Sequence, residues 1–92
     1  MVQQYEVWVV VDPAVQSWTI VEGETLQGAA EAAVLAYDSR SDVDFALAKE
    51  NTIVQVLVRD PTDNTHAFSF DASCTLNPYY ELVAAAGARI SL

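Results

Sequence analysis

The sequence predicts an α+β domain in which an antiparallel sheet of four or five strands carries two main helices on one face, in the order ββα-ββα. Three observations lead to this fold class. The chain has 92 residues, which suits one domain spanning residues 1–92. Four short segments are rich in β-branched and aromatic residues and end in turn residues. One longer segment, residues 24–37, has apolar side chains at helical spacing.

The helix predicted over residues 24–37 is the element around which the rest of the fold is arranged. Its apolar stripe recurs at i, i+3, i+4, i+7, i+8 and i+11 and consists of Leu26, Ala29, Ala30, Ala33, Val34 and Tyr37. Thr25 is a preferred N-cap residue, and Glu24 places negative charge near the positive end of the helix dipole. Because most of the stripe is alanine, we expect a sheet to approach this helix closely.

Four strands are predicted in two pairs, over residues 3–11 and 17–22 and over residues 52–59 and 65–70. Asp12-Pro13 ends the first strand, and the short connection that follows predicts a β-hairpin. Both faces of the first strand are largely apolar, which is typical of a central strand.

A second main helix is predicted after the second pair of strands. Asn77 and Pro78 match the N-cap and the first helical position. Gly87 is expected to end this helix. Its predicted apolar stripe consists of Tyr79, Leu82, Val83 and Ala86. Residues 89–92 are expected to form a short edge strand or to pack as a tail.

Residues 38–51, which connect the two halves, allow either a short helix or an irregular loop. Ser41 and Asp44 resemble a capping box, with Asp in place of the usual Glu. If the helix forms, the side chains expected to face the core are Val43, Ala46 and Leu47.

Charge composition limits the classes of function. The chain has 13 Asp and Glu residues but four Lys and Arg residues, so its net charge is −9 because bases are scarce. Phosphate contacts need basic side chains, and we therefore expect no direct binding to nucleic acid. Charged residues make up 18% of the chain, below the usual value of about 25%. A surface with so few charges exposes apolar area of the kind that marks interfaces.

Localisation is predicted from what the sequence lacks. No apolar run approaches the roughly 18 residues that cross a membrane, and the N-terminus has neither the basic nor the apolar region of a secretory leader. Cys74 is the only cysteine, which excludes an intramolecular disulfide and is typical of a reducing compartment. We therefore expect a cytoplasmic protein without membrane contact.

No residue pattern predicts an enzyme, a cofactor or a metal site. His66, the only histidine, is expected to be a partly buried structural residue on a strand. The catalytic alternative pairs it with Cys74 as base and nucleophile, although neither residue lies in a known motif. Asp60, Asp63 and Asn64 lack the ligand spacing of a calcium loop and are explained by turn chemistry.

The aromatic residues allow two interpretations. Trp8 and Trp18 lie on the two strands of the first hairpin, where they form either a cross-strand pair in the core or exposed anchors for a partner. Tyr79 and Tyr80 are adjacent on the second predicted helix and point about 100° apart, so both cannot face the core.

The surface best suited to a partner is predicted on the outer face of the first helix and in the acidic connection after it. Leu35 lies off the apolar stripe beside Gly28 and Ala32, where either residues 42–50 or another chain would cover it. The predicted partner-binding residues are Glu24, Glu31, Leu35, Asp38, Asp42 and Asp44. An acidic rim of this kind predicts attraction to a basic protein or nucleoprotein complex. A homodimer through the first helix is the alternative.

Small size, acidity, a hairpin followed by a helix and the lack of a catalytic motif resemble small phage-encoded inhibitors, including the anti-CRISPR proteins. This resemblance covers the whole chain without a shared motif. It implies a non-enzymatic inhibitor of a nucleic-acid-processing complex, acting in the host cytoplasm. The segment from Gly23 to Ala29, GETLQGA, is also similar to the G-x-T-x-x-x-A pattern of HicB-type antitoxins, where a hairpin runs into a helix. That second resemblance implies an oligomerising regulatory module.

Overall fold

The computed structural model describes residues 2–85 and 87–92. The elements in chain order are β1 (Gln3–Val10), β2 (Thr19–Gly23), α1 (Leu26–Asp38), α2 (Ala46–Lys49), β3 (Ile53–Arg59), β4 (His66–Leu76), β5 (Tyr80–Ala85) and β6 (Arg89–Ser91). The strands described form one antiparallel sheet in the order β2-β1-β3-β4-β5, and β6 also pairs with β4. The predicted α+β class with an antiparallel sheet is therefore confirmed.

The first hairpin and the central position of β1 are confirmed. β1 pairs with β2 on one side, with Val7 opposite Thr19, and with β3 on the other, with Val7 opposite Val58. The Thr25 side chain caps α1 as predicted, since its Oγ1 accepts a hydrogen bond of 2.9 Å from the Gly28 amide. β2 ends at Gly23, just before the Thr25 cap, so the hairpin leads directly into α1.

The larger core lies between α1 and one face of the sheet. Alternate residues of the central strands point toward α1, and Val7, Val56 and Val58 are almost completely buried. The predicted stripe of α1 meets them, with Ala29 and Ala30 fully buried. Small side chains bring the backbones close, because a Cβ added at Gly23 of β2 would lie 3.2 Å from the Ala29 amide nitrogen.

The opposite face of the sheet carries a smaller cluster, in which Trp8, Leu57 and Ala67 are buried. Trp18 packs against this cluster, and its ring meets that of Trp8 edge to face at a centroid distance of 5.8 Å. The predicted cross-strand pair of tryptophans is therefore confirmed. Leu57 and Trp8 are paired residues of adjacent strands, so the cluster follows from the register.

The segment predicted as the second main helix is a strand, so the order ββα-ββα is wrong. β5 pairs with β4, with Leu82 opposite Cys74 and Ala84 opposite Ala72. The helix prediction failed because the residues after Glu81 are apolar on every side, so helical and strand periodicity fit equally well. Ala86, the end of the predicted stripe, lies outside the described residues.

Gly87 ends no helix in this structure. It lies against β4 at the point where pairing passes from β5 to β6, and a Cβ on it would collide with the carbonyl oxygen of Ser69. Glycine is needed here for close approach rather than as a helix C-cap. Residues 89–92 were expected as an edge strand or a tail, and the strand β6 is what forms.

The connection after α1 contains the short helix, but the predicted capping box is wrong. Asp44 and Phe45 both have left-handed backbone angles, with φ of 53° and 58°. Phe45 occupies the N-cap of α2 without a side-chain hydrogen bond. The buried residue of α2 is Ala48, which joins the same core cluster as α1.

Candidate functional site

A groove of about 510 Å³ opens between α1 and the β1–β2 hairpin, near the predicted partner face. Its floor is formed by the inward-facing valines of the hairpin, Val7, Val9 and Val21. Ala33, Ala36 and Tyr37 of α1 form one wall. The groove exists because this part of the helix offers two alanines where larger side chains would have filled the space.

The connection between β1 and β2 forms the other wall and the mouth of the groove. Val11, Asp12, Val15 and Ser17 line it. Asp12 Oδ1 accepts a hydrogen bond of 3.0 Å from the Ala14 amide, which holds the carboxylate in a turn at the mouth. No Lys or Arg of the described residues pairs with it.

Arg40 closes the other end of the mouth. Its guanidinium lies 5.6 Å from the centre of the Tyr37 ring. Two hydrogen bonds join it to Asp42, of 3.1 Å from Nε and 2.7 Å from Nη2. This fork geometry fixes the direction of the guanidinium. The groove therefore adjoins Asp42, one of the residues predicted to bind a partner.

The other predicted partner residues are distributed over α1 and the connection after it. Glu24 is exposed just before the helix, and Leu35 is 44% exposed on its outer face. Asp44 is exposed in the connection and pairs with Lys49 at 3.0 Å. Leu35 therefore keeps part of its surface exposed, and the predicted intermolecular contact through it stays a prediction.

Glu31 is half-buried and faces the edge of the sheet. Its Oε1 accepts a hydrogen bond of 3.3 Å from the Gln27 side chain and a longer one of 3.4 Å from the Ala84 amide. Ala84 lies on β5, an edge strand whose outward amides would otherwise be free to pair with another chain. The Oε1 atom of Glu31 is therefore already hydrogen-bonded within the protein.

Asp38 is inside the protein and is removed from the accessible partner surface. It is fully buried, and its two carboxylate oxygens accept hydrogen bonds from the Leu47 amide at 2.9 Å and the Ala48 amide at 3.3 Å. These amides belong to the first turn of α2 and have no partner within the helix. The last residue of α1 thus caps the helix that follows.

Two further polar groups lie close to the Asp38 carboxylate. Burial raises the pKa of the Cys74 thiol, and the negative charge of Asp38 adds to that effect. Burial likewise raises the pKa of Tyr80, to which the charges of Cys74 and Asp38 contribute. The Tyr80 hydroxyl is buried and lies near both groups without meeting the geometry of a hydrogen bond. This cluster suppresses ionisation, which is the opposite of what a reactive thiol needs.

The catalytic alternative is not supported by the positions of its two residues. Cys74 and His66 lie eight residues apart on β4, a separation of about 26 Å at about 3.3 Å per residue. Asp60 and Asp63 accept hydrogen bonds from the amide and hydroxyl groups of Thr62 and Thr65, respectively. Within residues 2–85 and 87–92, no group of three or more His, Cys, Asp or Glu side chains is arranged to hold a metal ion.

Sequence reasoning missed the groove and its mouth. Asp12 was interpreted only as the end of β1, and Arg40 only as part of the acidic connection. One signal does exist, because Ala33, Ala36, Tyr37 and Arg40 recur at i, i+3, i+4 and i+7 along one flank of α1. This spacing places all four side chains on the flank of α1 that lines the groove.

No protein-family model, curated protein or solved structure matches this chain. Among the described residues, no helix has the length and apolar character needed to cross a membrane. Function therefore has to follow from the residues and their geometry.

The buried cap predicts a large cost for removing the Asp38 carboxylate. Asp38→Ala leaves two amides at the start of α2 without a partner, and we expect a loss of about 2–3 kcal/mol in the free energy of unfolding. The matched control is Asp42→Ala, which removes an exposed carboxylate nearby and should cost no more than about 0.5 kcal/mol. Urea denaturation of both variants measures the difference, and equal losses would contradict the capping role.

Stability at alkaline pH should depend on Tyr80. An unfolded tyrosine loses its proton near pH 10, whereas the folded protein holds the Tyr80 proton to higher pH because its pKa is raised. Above about pH 10 the unfolded state binds fewer protons, so the free energy of unfolding should fall as pH rises. Tyr80→Phe should flatten this slope.

Urea denaturation between pH 7 and pH 11 measures the slope. The control is Tyr79→Phe, which removes the same hydroxyl from a neighbouring tyrosine that is 79% exposed. Equal slopes in the two variants would show that Tyr80 ionises as freely as an exposed tyrosine.

Proposed function

We propose that the protein is a non-enzymatic acidic binding protein that inhibits or regulates a basic, nucleic-acid-processing partner. The observation that carries this proposal is that three of its four cations form ion pairs within the chain. Arg40 pairs with Asp42 at 2.7 Å and Lys49 with Asp44 at 3.0 Å. The acids that remain define the electrostatic character of the surface.

The other two cations are Arg59, which is ion-paired, and Arg89. Arg59 lies 3.2 Å from Glu6, with both side chains largely buried, and its guanidinium lies 3.9 Å from the centre of the Trp18 ring. Hydrogen bonds from Thr65 lower the pKa of Asp63 most, and the charge of Arg89 adds a smaller contribution. The three ion-paired cations each face a carboxylate, which makes them poor contacts for a phosphate.

Seven exposed carboxylates among the described residues make no ion pair with a Lys or Arg. They are Asp12, Glu22, Glu24, Glu50, Asp60, Asp71 and Glu81. Such a distribution attracts a basic protein from a distance and repels nucleic acid. Inhibition of a nuclease complex in the host cytoplasm is the specific form of this proposal that the resemblance to anti-CRISPR proteins implies.

Binding should depend on the acids of α1 and its connection more than on net charge alone. The variant Glu24→Gln, Glu31→Gln, Asp44→Asn and the control Asp60→Asn, Asp71→Asn, Glu81→Gln each change the net charge from −9 to −6. We expect the first to lower affinity for a captured basic partner about tenfold more than the control. The substituted amides keep the acceptor oxygens that the fold uses.

The measurement is affinity capture from a bacterial lysate at low and high ionic strength, followed by titration of the recovered protein. Basic proteins released by salt are the expected result. Equal losses of affinity in the two variants would show that the acids of α1 and its connection contribute no more than the other surface acids. Capture of neutral or acidic proteins that is indifferent to salt would contradict the proposal as a whole.

A second candidate function is an oligomerising regulatory module of the HicB-like kind. The observation that favours it is Leu35, which is 44% exposed on the outer face of α1. Gly28 and the exposed Ala32 lie on the same face, so a second helix could approach closely.

The dimer hypothesis predicts that one substitution separates the subunits. Leu35→Glu places a charge at the centre of the proposed contact, and we expect a monomer where the unmodified protein is a dimer. Sedimentation equilibrium measures the mass. Ala85→Glu, at an exposed position on β5, is the control that should leave the mass unchanged. The same mass for both variants would rule out the dimer through α1.

A further inference from the structure

We propose that the groove between α1 and the β1–β2 hairpin receives a bulky apolar side chain of the basic partner, with a neighbouring Lys or Arg of that partner beside Asp12. This inference rests on the proposed function and names the contact that would give it specificity.

The lining of the groove determines the apolar part of the ligand. Valines of β1 and β2 form its floor, and the alanines of α1 leave the space above them open. Its volume of about 510 Å³ lies within the range of about 300–1,000 Å³ that is typical of ligand pockets. An aromatic or large aliphatic side chain would cover this floor and remove it from water.

The charges at the mouth determine the polar part. Asp12 lines the groove and makes no ion pair with any residue that the structure describes. Arg40, the cation at the mouth, is already held by two hydrogen bonds to Asp42. Asp12, Arg40 and Asp42 together carry one net negative charge. This charge favours a ligand that has a cation next to its apolar side chain.

The same charges argue against other occupants. A fatty acid or another anionic amphiphile would bring its head group against Asp12, with Arg40 already engaged. A second copy of this chain would bring a net charge of −9 against −9. A segment of a basic partner meets neither obstacle and matches both the apolar floor and the acidic mouth.

Capped tripeptides provide a defined probe of this site. The protein, with labelled Ala and Val methyl groups, is titrated by NMR with Lys-Phe-Lys, Lys-Ala-Lys and Glu-Phe-Glu. We expect Lys-Phe-Lys to shift the methyls of Ala33, Ala36 and Val21 at a concentration about tenfold lower than the other two peptides need. Shifts located elsewhere, or equal responses to all three peptides, would overturn the inference.

Two variants test the two parts of the site separately. Ala36→Phe fills the groove and should weaken Lys-Phe-Lys binding about tenfold or more, whereas Ala85→Phe, at an exposed position on β5, should not. Asp12→Asn keeps the acceptor oxygen of the turn but removes the charge, so it should abolish the preference for Lys-Phe-Lys over Glu-Phe-Glu. Unchanged binding in both test variants would overturn the inference. If Ala36→Phe does not fold, the Asp12→Asn result and the methyl shifts still decide it.

The remaining outcomes separate this inference from the proposed function. Tighter binding of cyclohexanol than of Lys-Phe-Lys at the same methyls would make the groove a site for small neutral molecules and would overturn the peptide occupant. If Lys-Phe-Lys does not bind but salt-sensitive capture of a basic protein persists in Ala36→Phe, the groove inference fails and the proposed function stands. If the tripeptide binds as expected while the acids of α1 have no effect on capture, the groove inference stands without the proposed function.

Discussion

The close contact between the alanines of α1 and the valines of the sheet is the constraint on which the rest of the structure depends. At the start of the helix this contact is complete, with Ala29 and Ala30 fully buried and Gly23 of β2 in close approach. About one to two turns later, two further alanines of the helix, Ala33 and Ala36, face the end of the hairpin and leave a groove. One property of the helix, its small side chains, thus produces both tight packing and an open site.

A second constraint is the buried carboxylate of Asp38, which joins the end of α1 to the start of α2. A four-residue helix is too short to be stable by itself, so it depends on the packing and capping that the rest of the fold supplies. Asp38 provides the cap, and the left-handed residues Asp44 and Phe45 give the connection the shape that brings α2 to this carboxylate. An acidic residue in the sequence can therefore serve the fold instead of the surface, and residue type alone does not distinguish the two roles.

Local patterns predicted what depends on local chemistry. The stripe of α1, its Thr25 cap, the first hairpin and the paired tryptophans could all be predicted, because each follows from spacing or from adjacent strands. The strand β5 could not be predicted, because the apolar run after Glu81 fits both helical and strand periodicity. Only its pairing with β4 makes it a strand. The groove was missed for a similar reason, because a space is defined by residues from three segments. The capping role of Asp38 could not be predicted either, because it depends on where the fold places the Leu47 amide.

The arrangement of charge connects the outer face of α1 with the groove. Arg40 lines the groove, and the carboxylate that holds it belongs to Asp42, at the edge of the acidic surface predicted from the sequence. The Arg40–Asp42 ion pair therefore lies between the groove and the acidic surface of α1. Because Asp42 neutralises Arg40, the positive charge of Arg40 does not offset the charge of the other nearby acids. Because 13 acidic residues face four Lys and Arg residues, the surplus carboxylates repel one another, and this repulsion weakens the folded state. Cations supplied by a partner would relieve that repulsion, so binding a basic surface and stabilising the fold would reinforce each other.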